Sequence, residues 1–199
     1  DLKVKIVSSV KFHEGLYQVV KHWSHECQCE MTFGIYLPEN KLSTKGVNLI
    51  LLFIVWEVLL ATMKTFRLNQ VMGTMLRSTV LLVCFLTQVQ GTLEFQILLV
   101  TGNWVGAGYY VDATSEAAKK HFRMFSYVTK ELPELVSKYF PVSLTNKSVT
   151  GFSMGGHGAL MCALKTEGYK SVSSFAPMGN PTKSENWGIK GYKFFFAKP

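Results

Sequence analysis

Gly151–Phe152–Ser153–Met154–Gly155, running on as Gly156–His157–Gly158–Ala159, decides how the rest of the chain is read. A serine with a glycine two residues to either side has the spacing of a nucleophile elbow. The serine of such an elbow sits on a sharp, strained turn between a strand and a helix, where a neighbouring Cβ would not fit. Its hydroxyl then stands above the sheet edge, and the amide of the next residue, Met154, can point at a developing oxyanion. The flanks agree. Ser148–Val149–Thr150 has the character of a short strand, and Met154–Lys165 that of a helix with small residues where it passes close to a sheet. The competing explanation is a glycine-rich helix start whose serine merely caps the helix.

The composition sets the bounds. With 199 residues, 48% of them hydrophobic and 13% aromatic, the chain can bury one sizeable core and is not disordered as a whole. The formal charge of +8 is spread over scattered lysines, with no basic run interleaved with aromatics. It therefore predicts a solvated surface and no nucleic-acid partner. Cys27, Cys29, Cys84 and Cys162 form no CxxC pair and have no histidines at metal-ligand spacing. Thiols so placed predict small core residues in a reducing compartment. No secretory signal opens the chain, nor does an initiator methionine, and a few N-terminal residues are expected to be missing.

In chain order, Val4–Phe12 and Leu16–Trp23 predict a pair of strands around Gly15. From Glu26 to Leu37 the apolar positions Cys27, Cys29, Met31, Phe33, Ile35 and Leu37 alternate with polar ones, predicting a half-buried strand that puts Cys27 and Cys29 on one face. The opening segment is thus expected to be antiparallel sheet. Leu49–Val55, Val58–Ala61 and Val80–Leu86 are purely apolar runs. Each is shorter than the roughly 20 residues of a spanning helix, so buried strands fit better than a membrane hairpin. Beyond Gly106, Thr114 or Ser115 could cap a helix reaching about Tyr127. A second helix, with Leu132, Leu135, Val136 and Tyr139 on one face and Pro133 at a kink or a first turn, would end before Pro141. Helix, strand, helix and a strand near Ser171–Phe175 then argue for a mostly parallel sheet with covering helices.

These residues carry a family resemblance. GAGYYVDAT (106–114), FRMFSYVTKELPELV (122–136), Phe140–Pro141, GFSMGGHGALMCALK (151–165) and YKSVSSFAPMGNP (169–181) closely resemble S-formylglutathione hydrolase, also called esterase D. The strand FGIYLP (33–38) fits that family's N-terminal sheet. The resemblance implies an α/β-hydrolase fold in a single domain whose C-terminal part is missing. It also implies a cytoplasmic serine thioesterase that splits S-formylglutathione into formate and glutathione and cleaves simple carboxylic esters. It further implies no metal or organic cofactor, no membrane, and leaves a homodimer open. Ser153 becomes the nucleophile and the Met154 amide an oxyanion donor.

The departures from the family are as informative. No DxFL-type aspartate and no HSYxF-type histidine is found, so the triad's acid and base are expected to be absent from this chain, which is expected to be inactive. The tail from Asn186 keeps only Trp187–Gly188 of the family pattern, and Val47–Val105 shows no LxGLTC-like oxyanion loop. Reading Val55–Met72 from the third base of each codon, with permitted codon choices, gives LGGFTCNDENFSIKSGY, close to that loop. The same frame turns Met75–Val80 into AEEHG and Phe85–Gly91 into PDTSPR, in the family's order. Residues 50–105 are therefore expected to be an anomalous, out-of-frame segment. Three functions follow: hydrolase by descent, non-catalytic remnant, or membrane-associated protein.

The remaining candidates carry weaker signals. His157 lies four residues after Ser153 and could share its helix face, but this fold draws its base from a late loop, so packing or surface is the expectation. His13, His22, His25 and His121 show no ligand spacing and are expected at the surface. Asp112 is expected to anchor a loop and Cys162 to sit in the core.

Overall fold

A computed structural model describes residues 3–12, 14–39, 47–54, 80–85, 108–184 and 188–196, with the backbone alone at 47–54 and 80–85. Seven strands among these residues form one sheet: β1 (Val4–Phe12), β2 (Gly15–Ser24), β3 (Cys29–Pro38), β4 (Val47–Ile54), β5 (Val80–Phe85), β6 (Val142–Phe152) and β7 (Tyr169–Phe175). Their order is β1-β2-β3-β5-β4-β6-β7. The first three run antiparallel, and β3 also meets β5 antiparallel. From β5 onward the neighbours are parallel. An antiparallel start joined to a parallel body is the expected α/β architecture, and two of the apolar runs are strands of it. Among the described residues no helix is long and apolar enough to cross a membrane.

That order reverses at one place. The chain goes from β4 outward to β5, then crosses back to lay β6 on the other side of β4. In an open parallel sheet, the crevice for ligands lies outside the carboxyl ends of the strands at such a reversal. Phe53 near the end of β4 pairs with Gly151 near the end of β6, so the elbow stretch emerges there.

Several elements differ from their sequence-based outline, each for a visible reason. β3 begins at Cys29, because residues 25–28 form a turn in which Gln28 takes φ 50°. Cys27 is therefore in the turn and shares no strand face with Cys29. Both are buried free thiols, pushed up by burial to about 12 and about 11 respectively. The far half of β3 is buried on both faces, Gly34 through Pro38, where alternation predicted burial on one.

No helix spans 115–121. Instead the Thr114 and Ser115 amides donate to the Phe195 carbonyl, at 2.8 and 3.0 Å, and Ser115 Oγ donates to the Phe194 carbonyl at 2.6 Å. Ser115 thus serves orphan carbonyls of the last helix rather than opening one of its own. Helical structure starts at α1 (Met124–Ser126), continues through a π-helical turn (Tyr127–Glu131) and resumes as α2 (Leu132–Tyr139). The wide turn directly precedes Pro133, whose missing N–H could not have continued a regular ladder. Leu132, Leu135 and Val136 are fully buried, while Tyr139, on the same face at the last residue of the helix, is 40% exposed. Two further helices, α3 (Met154–Lys165) and α4 (Gly188–Phe195), complete the described elements, with a 3₁₀ turn at Pro181–Lys183 between them.

Candidate active site

Ser153 follows the last residue of β6 and precedes the first of α3, with φ 57° and ψ −118°. A residue with a Cβ avoids that region unless its surroundings enforce it. Three backbone bonds do so. The Ser153 N–H donates to the Phe175 carbonyl at 2.9 Å, and the Ser153 carbonyl accepts from the amides of His157 (3.1 Å) and Met178 (3.3 Å).

The glycines make the turn sterically feasible. A Cβ on Gly151 would overlap the Gly155 carbonyl. A Cβ on Gly156 would stand 2.9 Å from the Phe175 carbonyl and 3.0 Å from Ser174 Oγ, so α3 can lie against β7 only without one. The serine side chain is exposed and makes no capping bond to the helix. A capping serine is therefore excluded as the explanation of the motif. Met154, the first residue of α3, is buried, and its amide belongs to the helix turn whose N–H groups lack intrahelical acceptors.

The other candidates sit elsewhere. His157 is buried beneath the elbow, its Nε2 lying 3.2 Å from the Tyr192 hydroxyl, and burial holds its pKa below the usual histidine value. Asp112 anchors a loop: its Oδ1 accepts the Ser126 amide (2.9 Å) and its Oδ2 the Ser126 hydroxyl (2.5 Å). Cys162 is fully buried, and burial pushes it up to about 12. One histidine expected at the surface is not there. His22 is buried, stacked on the Tyr127 ring at 5.8 Å with Nε2 3.0 Å from the Tyr127 hydroxyl. His121 is partly buried, its Nδ1 lying 3.0 Å from the Cys27 carbonyl. His25 is exposed, while His13, Cys84 as a side chain, Trp187 and the sought-for oxyanion loop lie outside the described residues.

Sequence reasoning did not find the segment that leaves β7. It carries Ala176, at φ 41°, and Met178, whose amide donates to the Ser153 carbonyl. The only signal for them was that Ala176–Pro177–Met178 follows a strand next in order after the elbow helix.

A strand–turn–helix elbow at the order reversal in the parallel half of a mixed sheet defines the α/β-hydrolase class of serine hydrolases. The Esterase family model matches residues 24–196. S-formylglutathione hydrolase from Bos taurus is 40% identical over 96% of this chain and 67% of its own length, and that from Mus musculus is 38% identical over 98% and 68%. Among solved structures, an S-formylglutathione hydrolase from Agrobacterium tumefaciens superposes with a TM-score of 0.82 at 31% identity, covering 96% of this chain and 68% of its own. A fluorophosphonate-binding serine hydrolase from Staphylococcus aureus shares the fold, with a TM-score of 0.63 at 14% identity. The chain belongs to the S-formylglutathione hydrolase family.

Proposed function

We propose that Ser153 is the nucleophile of a thioesterase whose substrate is S-formylglutathione, and that the Met154 amide is one of its oxyanion donors. The exposed, strained serine at the order reversal carries this proposal. In such a reaction a histidine takes the Ser153 proton as the hydroxyl attacks the formyl carbon. The carbon–sulfur bond breaks, and the glutathione thiolate leaves with that proton. Water then attacks the formyl ester, releasing formate and restoring the serine. Thiolate is a good leaving group, so serine activation and oxyanion stabilisation carry most of the acceleration. The proposed ligand is a small thioester and the compartment the cytoplasm, with no cofactor in the reaction.

Among the described residues no imidazole or carboxylate addresses the Ser153 hydroxyl; His157 is committed beneath the elbow. Without its base a triad serine keeps only the residual acceleration of its oxyanion hole and binding groups, about 10³-fold to 10⁴-fold over water. The 199-residue chain is accordingly proposed to be a non-catalytic member of its family. Purified chain and a Ser153→Ala variant should hydrolyse a chromogenic acetyl ester at the same rate. A serine-dependent excess would overturn the inactivity. Prolonged exposure to a fluorophosphonate at alkaline pH, followed by peptide mapping, addresses the nucleophile itself. The expected adduct is on Ser153; an adduct on other hydroxyls alone would sink the assignment.

The second oxyanion donor expected of the family falls outside the described residues. Strand β4 ends at Ile54, beside the elbow strand, and the displaced-frame sequence resembling the family's oxyanion loop begins at Val55. Residues 50–105 are proposed to be an out-of-frame stretch of a single hydrolase domain, and an uninterrupted transcript frame across them would end that idea.

A further inference from the structure

The last two residues of β7 both reach the elbow, one through its backbone and the other through its side chain. The Phe175 carbonyl accepts the Ser153 N–H at 2.9 Å. The Ser174 hydroxyl donates to the carbonyl of Gly156, in the first turn of α3, at 2.8 Å. One bond therefore holds the strained serine and the other holds the helix that follows it. β7 carries three serines, and they are not alike. Ser171 and Ser173 are exposed, and the Ser171 hydroxyl donates to Ser148 Oγ on β6, joining strand to strand. Ser174 is half-buried, and its hydroxyl is the one turned to the helix.

The helix itself does not require that bond. Inside a helix a carbonyl has its amide partner four residues on, and a second donor uses the remaining lone pair of the oxygen. Alanine at 174 would keep the strand and leave the helical ladder intact. What the hydroxyl adds is a tie across the close approach of α3 to β7. A Cβ on Gly156 would stand 3.0 Å from Ser174 Oγ, so the side chain that Gly156 lacks leaves room for the hydroxyl. The tie falls two residues beyond Met154, in the helical turn that carries the proposed oxyanion donor. Position matters there. Such donors work at about 2.7–3.1 Å from the oxygen they stabilise, and a misplacement of about 1 Å costs on the order of 10²-fold in rate.

We propose that Ser174 is a positioning residue that fixes the first turn of α3 against β7, and with it the Met154 amide. Its meaning for catalysis rests on the reading of Ser153 as nucleophile; the clamp itself rests on the Ser174–Gly156 bond. Phe175 and Ser174 then act on the two sides of Ser153, the first on its own N–H and the second on the turn after it. The Ser153 side chain between them stays exposed.

The test uses the 199-residue chain labelled with ¹⁵N. In Ser174→Ala the bonded amides of Ser153 and His157 should exchange about five times faster relative to amides in β2 and β3, the size of one lost hydrogen bond. Equal acceleration across the sheet would show an ordinary structural bond and overturn the proposal. At one fixed alkaline pH, fluorophosphonate labelling of Ser153 should slow by about the same factor; an unchanged rate would overturn it too. Ser174→Thr, which keeps the hydroxyl and suits a strand, should restore both readings, and failure to do so counts against the clamp. Should the alanine variant not fold, Ser174→Cys keeps nearly the same size with a weaker donor. It should shift both readings in the same direction by less, and a cysteine variant equal to the parent chain would sink the role of the hydroxyl. Faster exchange confined to the elbow amides, with no adduct on Ser153 in the parent chain, would support the clamp and remove the nucleophile reading alone.

Discussion

Glu131 and Ser153 show two opposite ways of using a polar residue. Glu131 ends the π-helical turn and is buried. Its carboxylate accepts from Ser24 Oγ at 2.7 Å, the His25 amide at 2.7 Å and the Glu26 amide at 3.0 Å. The side chain is saturated, and the β2–β3 turn is clamped to the helix by it. At Ser153 it is the backbone that is saturated, bonded through both its N–H and its carbonyl, while the hydroxyl stands exposed without a cap bond. A group that holds a fold together should have its partners within the fold. A group that reacts must leave its atom free and fix only the chain that carries it.

The largest effect should come from breaking the first arrangement. Glu131→Ala removes one acceptor from three donors, and Ser24 Oγ also accepts the Cys27 amide at 3.0 Å, so the loss spreads through the turn. The expected destabilisation is about 3 kcal/mol, with Glu131→Gln, which keeps one acceptor oxygen, costing roughly half of that. Urea midpoints measure both. A loss below about 1 kcal/mol in the alanine variant would mean that the clamp is replaceable by water and that the contrast with Ser153 is weaker than drawn.

At Ser153 the sign should reverse. Glycine at φ 57° carries no Cβ strain, so Ser153→Gly should raise stability by about 1 kcal/mol in the same urea measurement, even against glycine's larger unfolded-state entropy. The same change removes the hydroxyl. Gaining stability by deleting the proposed reactive atom is the expected mark of a site whose strain is tolerated for its chemistry. A destabilisation typical of glycine in a helix would show that Ser153 is an ordinary first-turn residue.

The sequence made the second arrangement easier to see than the first. Gly151-x-Ser153-x-Gly155 is short and local, so strand, turn and helix were all legible, with α3 found at its true bounds of Met154–Lys165. The strands β1, β2 and β7 were legible too, because runs of apolar or alternating residues are also local, whereas the apolar runs of β4 and β5 fitted buried strands and out-of-frame sequence alike. What was hidden depends on distant partners. Nothing near Ser115 reveals that it serves the carbonyls of residues 194 and 195, so its capping chemistry was assigned to the wrong helix. Nothing near His22 reveals Tyr127, 105 residues away, so a core histidine was assigned to the surface. The wide turn before Pro133 and the clamp by Glu131 were missed for the same reason. Met178 and Tyr192 became visible only once β7 and α4 were placed beside the elbow.

The smallest expected effect sets the two regions against each other through their histidines. Burial lowers the pKa of His22; hydrogen bonding to the Trp23 carbonyl and the nearby Glu131 charge oppose it, while His25 adds to it. Burial lowers that of His157 as well, opposed by its bond to Met178. Both rings are therefore neutral in the folded chain at a pH where they would already be charged in the unfolded one. Above about pH 6.5 neither state is protonated and the full stability is present. As pH falls below that value the unfolded chain binds protons first, so stability declines until the folded rings titrate, with a limiting slope of about 1.4 kcal/mol per pH unit for each histidine. His22→Gln and His157→Asn, each followed by urea unfolding between pH 7 and 5, should each flatten the decline. His157 should account for the larger part, because no carboxylate offsets its burial as Glu131 does for His22. If replacing His22 removed the whole slope, the ring beneath Ser153 would be accepting its proton in the folded chain as readily as in the unfolded one. The elbow would then be an open, hydrated structure and not the fixed support that an exposed nucleophile needs.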